Sequence, residues 1–167
     1  MAVATAHLIH GFIGAGKTTF ARQLEQSLGA QRFTHDEWMV QRHGHAPDAD
    51  RFPEFLEQID RDIWDAALQV LDSGQDVIID VGFWSRASRR EAIEKVTAAG
   101  AVVRFYSVVS PIALMRERTL RRSEAPPGDS LWIDGPAFDT LLLQFEPMSP
   151  DEEFIEIDGQ GSGALLP

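Results

Sequence analysis

Apolar and polar residues follow two patterns along this chain. Short, nearly continuous apolar runs predict buried strands, whereas apolar residues that recur every three or four positions predict helices with one buried face. The predicted strands are residues 3–10, 31–34, 76–80, 102–109 and 154–157. The predicted helices are residues 17–28, 54–73, 88–99 and 112–122, with a shorter one at 136–145.

Residues that favour helix ends lie at the boundaries of these predicted helices. Gly29, Gly74 and Gly100 each follow one of them, and glycine is common there because it adopts left-handed backbone conformations readily. Pro53 suits the first position of the helix that continues through residues 54–73. The pattern therefore predicts where these helices stop as well as where they run.

The alternation of strands and helices predicts the fold class. It indicates an α/β fold, a three-layer sandwich in which helices cover both faces of a parallel sheet. Ligands in such folds bind at the carboxyl ends of the strands. We interpret residues 1–158 as a single domain and residues 159–167 as a frayed C-terminal tail.

A candidate phosphate-binding loop follows the first predicted strand. Residues 11–18 read GFIGAGKT and match the pattern G-x-x-x-x-G-K-[ST]. Backbone N–H groups of such a loop, together with the N-terminus of the next helix, surround a bound phosphate. Lys17 would reach the β- and γ-phosphates, and Thr18 would bind Mg²⁺. The predicted nucleotide-binding residues are Gly11, Gly14, Ala15, Gly16, Lys17, Thr18 and Thr19.

The alternative is an ordinary glycine-rich turn between a strand and a helix. From average composition, a chance match in a chain of this length has odds of about one in a hundred or less. The match also stands between an apolar strand and a helix, as a phosphate loop requires. We therefore predict that the protein binds ATP.

A second candidate residue, Asp80, ends the predicted strand at residues 76–80, which read DVIID. In phosphate-loop enzymes an aspartate in this position holds Mg²⁺, often through a water. An aspartate at a strand end is by itself more often a turn former or a helix cap. Together with the loop upstream, Asp80 and Thr18 are the predicted metal ligands.

Asp36 follows the second predicted strand, where its side chain would face the γ-phosphate across the cleft. A carboxylate in that position can accept the proton of an attacking hydroxyl. It can equally cap a helix that starts at Glu37. The spacing leaves these two roles open, and Glu37 is the alternative base.

Arginines crowd one end of the helix predicted at residues 112–122. They are Arg116, Arg118, Arg121 and Arg122. Basic residues near a helix C-terminus ordinarily complement its dipole. The functional alternative is a lid at about residues 116–134, in which arginines stabilise the transferred phosphoryl group and a loop containing proline and glycine moves. Arg118 and Arg122 share a face because they are four residues apart.

Composition narrows the classes of function. The chain contains no cysteine, which excludes disulfides, thiol catalysis and cysteine-based zinc sites. No signal peptide and no run of roughly 18 apolar residues is visible, so we expect a cytoplasmic protein without a membrane span. The net charge of −11 disfavours nucleic acid as a partner and favours a neutral or cationic substrate.

These segments together resemble the small P-loop kinases of the polynucleotide kinase, chloramphenicol phosphotransferase and zeta-toxin kind, which are often grouped with AAA-family ATPases. The resemblance covers nearly the whole chain and is carried by GFIGAGKTT, HDEW, VIIDVGFWSRASRR and SPIALMRERTLRR. It implies the P-loop nucleoside triphosphate hydrolase fold of nucleotide kinases, with five strands and the phosphate-loop strand at the centre of the sheet.

The resemblance also implies roles for single residues. It assigns the base to Asp36, phosphate and Mg²⁺ binding to Lys17 and Thr18, and the aspartate on the strand to Asp80. The same comparison implies that Arg118 and Arg122 are the lid arginines. It further implies that either Arg89 or Arg90 contacts the substrate.

The leading hypothesis is an enzyme, an ATP-dependent kinase that transfers the γ-phosphate of Mg-ATP to a hydroxyl of a small molecule, with an antibiotic or amino sugar as one candidate. A nucleic-acid 5′-hydroxyl kinase is the nearest alternative. A nucleotide-dependent switch or ATPase that acts on a protein partner belongs to another class, as does a nucleotide-binding module without catalysis. The chain lacks the N-K-x-D sequence of GTPase switches.

Overall fold

The computed structural model describes residues 3–124 and 131–161. The strands are β1 Thr5–His10, β2 Gln31–Thr34, β3 Val77–Gly82, β4 Val102–Val109 and β5 Ile155–Asp158. The helices are α1 Lys17–Leu28, α2 His35–His43, α3 Phe52–Asp72, α4 Arg86–Ala98, α5 Ile112–Glu124 and α6 Gly135–Leu142. None of the helices in this part of the chain is both long enough and apolar enough to span a membrane.

The five strands form one parallel sheet in the order β2-β3-β1-β4-β5. The prediction of a five-stranded parallel sheet with the phosphate-loop strand at its centre is therefore confirmed. After β1 the chain moves to one side of the sheet, to β2 and β3, and it then crosses to β4 on the other side. A crevice opens at the carboxyl ends of the strands where the strand order reverses, and β1 ends beside that point.

Helices cover both faces of the sheet, and each face has its own apolar core. Alternate side chains of one strand point to opposite faces, so Ile79 packs towards α3 and α4 whereas Ile78 packs towards α1 and α5. The first core includes Leu8, Phe33, Ile59, Ile63, Phe83, Val96 and Phe105. The second core includes Ile9, Phe12, Phe20, Leu24, Tyr106, Val108 and Phe138. The predicted three-layer sandwich is confirmed.

The predicted strand at residues 76–80 continues further than expected. β3 extends to Gly82, which pairs with His10 and accepts a hydrogen bond of 3.2 Å from the N–H of Gly11. Asp80 therefore lies inside the strand, not at its end, and is buried. Because β3 runs two residues past Asp80, the Asp80 carboxylate is buried below the carboxyl edge of the sheet.

The bounds of α3, α4 and α5 differ from the predicted ones by one or two residues at an end, and α2 and α6 differ more. α2 begins at His35, directly after β2, so Asp36 lies in its first turn. α6 ends at Leu142, three residues before the predicted end at residue 145. The chain turns there because the Phe145 ring packs against the rings of His10 and Phe12, below the carboxyl ends of the strands.

The predicted lid and tail lie partly outside the described residues, since residues 125–130 and 162–167 are not among them. The first residue of the predicted tail, Gly159, is hydrogen bonded to the body of the protein. Its N–H donates to the carbonyl of Val109 at 2.8 Å, and its carbonyl accepts from Arg118 Nη1 at 3.1 Å. These contacts attach the chain after β5 to the end of β4 and to α5.

Candidate active site

The loop at residues 11–18 connects β1 to α1 at the carboxyl edge of the sheet. Gly14 and Gly16 have φ angles of 79° and 107°, in the left-handed region that favours glycine. A Cβ on Gly14 would lie 2.4 Å from the carbonyl oxygen of Met115, so the loop could not pack against α5 with a larger residue there. The first N–H groups of α1 have no side-chain cap and are free to bind an anion.

Lys17 is partly buried at the start of α1, and its Nζ donates to the carbonyl of Phe12 at 3.0 Å. Burial lowers the pKa of Lys17, and the nearby carboxylates of Asp80 and Asp36 oppose that change. The positive charge of Arg122 lowers the pKa further. One ammonium, two carboxylates and one guanidinium therefore interact over a short distance within the same site.

Asp80 is 5% exposed, and its Oδ1 has no hydrogen-bond partner in residues 3–124 and 131–161. Burial raises its pKa to about 6, the charge of Lys17 opposes this shift, and Asp36 adds to it. A buried carboxylate oxygen without a partner is costly to a folded protein, and it is also a typical ligand for a hard divalent cation. The site thus contains a buried carboxylate oxygen that can bind a cation and that has no hydrogen-bond partner among the described residues.

The residues present fit Mg²⁺. Thr18 lines the same cavity as Asp80, and the two supply oxygen donors beside the phosphate loop. Mg²⁺ commonly takes one or two protein oxygens and completes its shell with waters and phosphate oxygens. Within residues 3–124 and 131–161, no three His, Asp or Glu side chains are grouped so that they could hold a metal ion by themselves. A bound Mg²⁺ would therefore need waters or phosphate oxygens as further ligands.

Asp36 lines the cavity from the first turn of α2. Its charge affects the pKa of both Lys17 and Asp80, so it lies close to these two groups. Glu37, the alternative base, does not line the cavity and accepts a hydrogen bond of 2.7 Å from Arg32 Nη2. The geometry therefore favours Asp36 over Glu37 for contact with an acceptor.

Arg118 and Arg122 of α5, which are four residues apart, both line the cavity. Arg118 Nη1 donates to the carbonyls of Gly14 and Gly159 at 3.2 and 3.1 Å. Arg122 is close enough to Lys17 to lower its pKa. Arg118 thus ties the phosphate loop to the chain after β5, and Arg122 lies near Lys17.

The other two arginines of the cluster form ion pairs at the protein surface. Arg116 Nε lies 3.2 Å from Asp139 on α6, and Arg121 pairs with Glu117 one turn earlier on α5. Both side chains are exposed, and only Arg121 also lines the cavity. Arg116 and Arg121 are therefore less suited than Arg122 to contact a transferred phosphoryl group.

The structure brings neither Arg89 nor Arg90 into the cavity. Arg89 is 1% exposed and forms a bidentate ion pair with Glu152, with N–O distances of 2.7 and 2.9 Å. It also donates to the carbonyls of Phe83 and Glu146. Arg90 is exposed on the outer face of α4. Spacing alone could not distinguish an arginine that holds two chain segments together from one that binds substrate.

The Arg89–Glu152 ion pair makes the free energy of unfolding depend on pH. Arg89 holds the pKa of Glu152 at about 2, below its ordinary value of 4.5. A depressed pKa stabilises the fold above pH 4.5, and this stabilisation is lost as the pH falls towards 2. We expect Glu152→Gln to lower the free energy of unfolding by roughly 3 kcal/mol at pH 7, and the difference from wild type to vanish near pH 2.

Urea denaturation from pH 2 to 8 measures this difference. Glu153→Gln is the matched control, because Glu153 is the exposed neighbour of Glu152. A Glu152→Gln protein as stable as wild type at pH 7 would show that the ion pair contributes no net stability.

Several residues of the site were not predicted from the sequence. Trp84 Nε1 donates to the carbonyl of Gly11 at 3.1 Å, which fixes the first peptide of the loop. A Cβ on Gly159 would lie 1.8 Å from the carbonyl oxygen of Ala15, so only glycine fits this contact. The aromatic residue after β3 was noticeable in the sequence, whereas no pattern marked Gly159.

His10, the last residue of β1, is also buried at the base of the loop. Its Nδ1 lies 3.0 Å from Ser107 Oγ, and its Nε2 lies 3.3 Å from the carbonyl of Glu146. Burial lowers its pKa to about 4, so the ring is neutral at pH 7. His10 therefore joins the phosphate-loop strand to β4 and to the chain after α6 without adding charge to the site.

One cavity of about 920 Å³ is lined by most of the candidate groups, namely Gly14, Gly16, Lys17, Thr18, Thr19, Asp36, Asp80, Arg118 and Arg122. The phosphate loop lies at one end, and α2, α3 and α4 supply the walls at the other. A parallel sheet in this strand order, with a phosphate loop on its central strand and an acidic residue on the neighbouring strand, defines a P-loop protein with a kinase-like fold.

The chain belongs to the AAA_33 family, described as an AAA domain, whose model matches residues 7–148. No curated protein shows significant similarity to it in sequence. The family match confirms the resemblance to P-loop kinases stated from the motifs.

Solved structures share the fold at low sequence identity. A protein from Chloroflexus aurantiacus assigned as a kinase is 18% identical, with a TM-score of 0.75 over 94% of this chain and 89% of that one. A gluconokinase from Sinorhizobium meliloti is 14% identical, with a TM-score of 0.65 over 96% and 86%. Chaetomium thermophilum Kti12, in complex with ADP-AlF3, is 18% identical, with a TM-score of 0.71 over 92% and 88%.

Proposed function

We propose that this protein is a phosphotransferase that moves the γ-phosphate of Mg-ATP to a hydroxyl group of a small molecule. The observation that supports this most is Asp36, whose carboxylate shares the cavity with Lys17 and Asp80 and influences the pKa of both. A kinase needs a proton acceptor on the side of the γ-phosphate away from the nucleotide. Asp36 lines the same cavity as residues of α3 and α4, and the cavity volume of about 920 Å³ leaves room for an acceptor molecule.

Each residue then has a defined part in the reaction. The loop N–H groups and Lys17 bind the β- and γ-phosphates, and Thr18 and Asp80 hold Mg²⁺, which neutralises charge on the phosphates. Asp36 accepts the hydroxyl proton as the acceptor oxygen bonds to the γ-phosphorus and the bond to the ADP oxygen breaks. Arg122 stabilises the charge of the transferred group.

The surroundings of Asp36 support a small molecule over a polynucleotide acceptor. A nucleic acid would need a track of available basic side chains leading to the site. The arginines on that side are instead paired with carboxylates, since Arg32 binds Glu25 and Glu37 and Arg42 binds Asp62. An antibiotic or an amino sugar is a suitable class of acceptor for such an acidic surface.

Transfer of label from [γ-³²P]ATP tests the proposal. The protein is incubated with Mg²⁺ and labelled ATP, either alone, with hydroxylated small molecules, or with 5′-hydroxyl oligonucleotides. We expect the label to move to a small molecule, with ADP released in equal amount. Label that appears only as inorganic phosphate, whichever compound is present, would support the ATPase or switch alternative, and label on the oligonucleotides would support the nucleic-acid kinase.

A further inference from the structure

A groove continues the cavity away from the phosphate loop, between α3 and α4. One wall is formed by Phe52, Leu56, Asp60 and Trp64. The other wall is formed by Ser88, Glu91, Ala92 and Lys95. Each set recurs at helical spacing and so occupies one face of its helix. At 1.5 Å per residue, the wall on α3 is roughly 18 Å long, enough for a molecule of several rings.

The charges of this groove are mainly negative. Asp60 and Glu91 supply a carboxylate on each wall, and Asp36 supplies a third where the groove meets the site. The ammonium of Lys95 is the permanent cation among the described residues of these two walls. The arginines that line the cavity all come from α5, at the phosphate end. Apart from Lys95, the described residues of these two walls therefore include none of the basic side chains that bind phosphate or carboxylate groups.

Lys95 shows how the groove holds a cation. Its Nζ lies 2.7 Å from Glu91 and 4.9 Å from the centre of the Trp64 ring. An ammonium in this position gains both a charge-assisted hydrogen bond and a cation–π contact. Across the groove, Asp60 Oδ1 lies 2.9 Å from His35 Nε2, and His35 precedes Asp36. The walls thus carry two acidic positions within reach of a molecule that also touches Asp36.

We infer that this groove binds the acceptor and that the acceptor is a hydroxylated amine. Its hydroxyl contacts Asp36, its ammonium lies between Asp60 and the Glu91–Trp64 position, and its apolar face packs on Phe52 and Leu56. The inference rests on the proposed function, because it names the substrate class of the same site. At the opposite end of the cavity, Asp80 Oδ1 is buried without a hydrogen-bond partner among residues 3–124 and 131–161, and the proposed function assigns that end to Mg²⁺ and the phosphates.

Substitutions on α4 have opposite expected effects. Glu91→Gln removes the carboxylate, so we expect the KM for an amine acceptor to rise about two- to fivefold, as for exposed charge pairs. Lys95→Ala removes the ammonium that already occupies the position beside Glu91 and Trp64, so the KM for an amine acceptor should fall or stay constant. Glu94→Gln is the matched control, because Glu94 is exposed on the same helix and does not line the cavity.

The acceptors are hydroxylated amines, namely aminoglycosides, amino sugars and simple amino alcohols. Each is compared with its N-acetylated form and with a phosphorylated or carboxylated analogue. Binding is measured by calorimetry in the presence of Mg-ADP, and phosphoryl transfer is measured separately with labelled ATP. We expect the amines to bind at least about tenfold more tightly than their N-acetylated forms, as the loss of a charge-assisted contact predicts.

The outcomes separate this inference from the proposed function. Amine binding that Glu91→Gln weakens, without any transfer of label, would support the groove inference and count against the kinase function. Transfer to anionic analogues, or a Lys95→Ala variant that loses acceptor binding, would overturn the inference and leave the kinase function intact. If no amine in the series binds, the inference is also wrong.

Discussion

Lys17→Ala is expected to abolish ATP consumption. The variant removes the ammonium that is bonded to the carbonyl of Phe12 in the loop and interacts with the carboxylates of Asp80 and Asp36. Without it, no cation on α1 neutralises the β- and γ-phosphates, and the charge that develops on them in the transition state is left without its closest partner. We expect a loss of at least about a hundredfold in kcat/KM for ATP, comparable with the removal of a preorganised transition-state contact.

A coupled ADP-release assay measures this loss, and calorimetry measures ATP binding by the same protein. Lys17→Arg is a second variant, and it should recover little activity because a planar guanidinium does not replace a compact ammonium inside the loop. Arg90→Ala, on the exposed side of α4, should behave as wild type. Full activity of a folded Lys17→Ala protein would show that the loop does not bind the reacting phosphates.

Asp36→Asn is expected to stop phosphoryl transfer while ATP still binds. The amide has the shape of the carboxylate but cannot accept the hydroxyl proton. General base catalysis is typically worth about 10²- to 10⁴-fold, and we expect kcat for transfer to fall within that range. The Kd for Mg-ATP should change little, because the phosphate-loop contacts remain.

Glu37→Gln is the matched control for this experiment. Glu37 is next to Asp36, but its carboxylate is bound by Arg32 at 2.7 Å and lies outside the cavity. Its substitution should leave kcat within a few fold of wild type. If Asp36→Asn transfers phosphate at the wild-type rate and Glu37→Gln does not, the base has been assigned to the wrong residue. Loss of background ATP hydrolysis without any acceptor would instead favour the ATPase alternative.

The phosphate loop was the part of the site that could be predicted most completely from the sequence. Its chemistry is local, since the glycines, Lys17 and Thr18 act through backbone conformation and through the helix that they begin. The same applies to β2, β4 and α1, whose boundaries coincide with the predicted ones. Structure that depends on one segment of chain alone can be predicted from the sequence of that segment.

Contacts between distant segments were not predictable in the same way. Asp80 was expected at the end of a strand, but pairing with β1 and the loop carries β3 on to Gly82 and buries the carboxylate. Arg89 matched the position of a substrate-binding arginine, yet its partner is Glu152, 63 residues later in the sequence. Such partners meet only when the fold is complete, so spacing alone left Arg89 and Arg90 equivalent.

Trp84 gives this protein a built-in optical probe. Its indole N–H is bonded to the carbonyl of Gly11, and its ring packs 5.0 Å from that of Phe12 inside the loop. Indole fluorescence depends on the polarity and hydrogen bonding around the ring. A phosphate that changes the loop is therefore expected to change the wavelength and intensity of Trp84 fluorescence. Occupancy of the nucleotide site can therefore be followed in real time without any label, and a Trp84→Phe protein identifies how much of the signal comes from that ring.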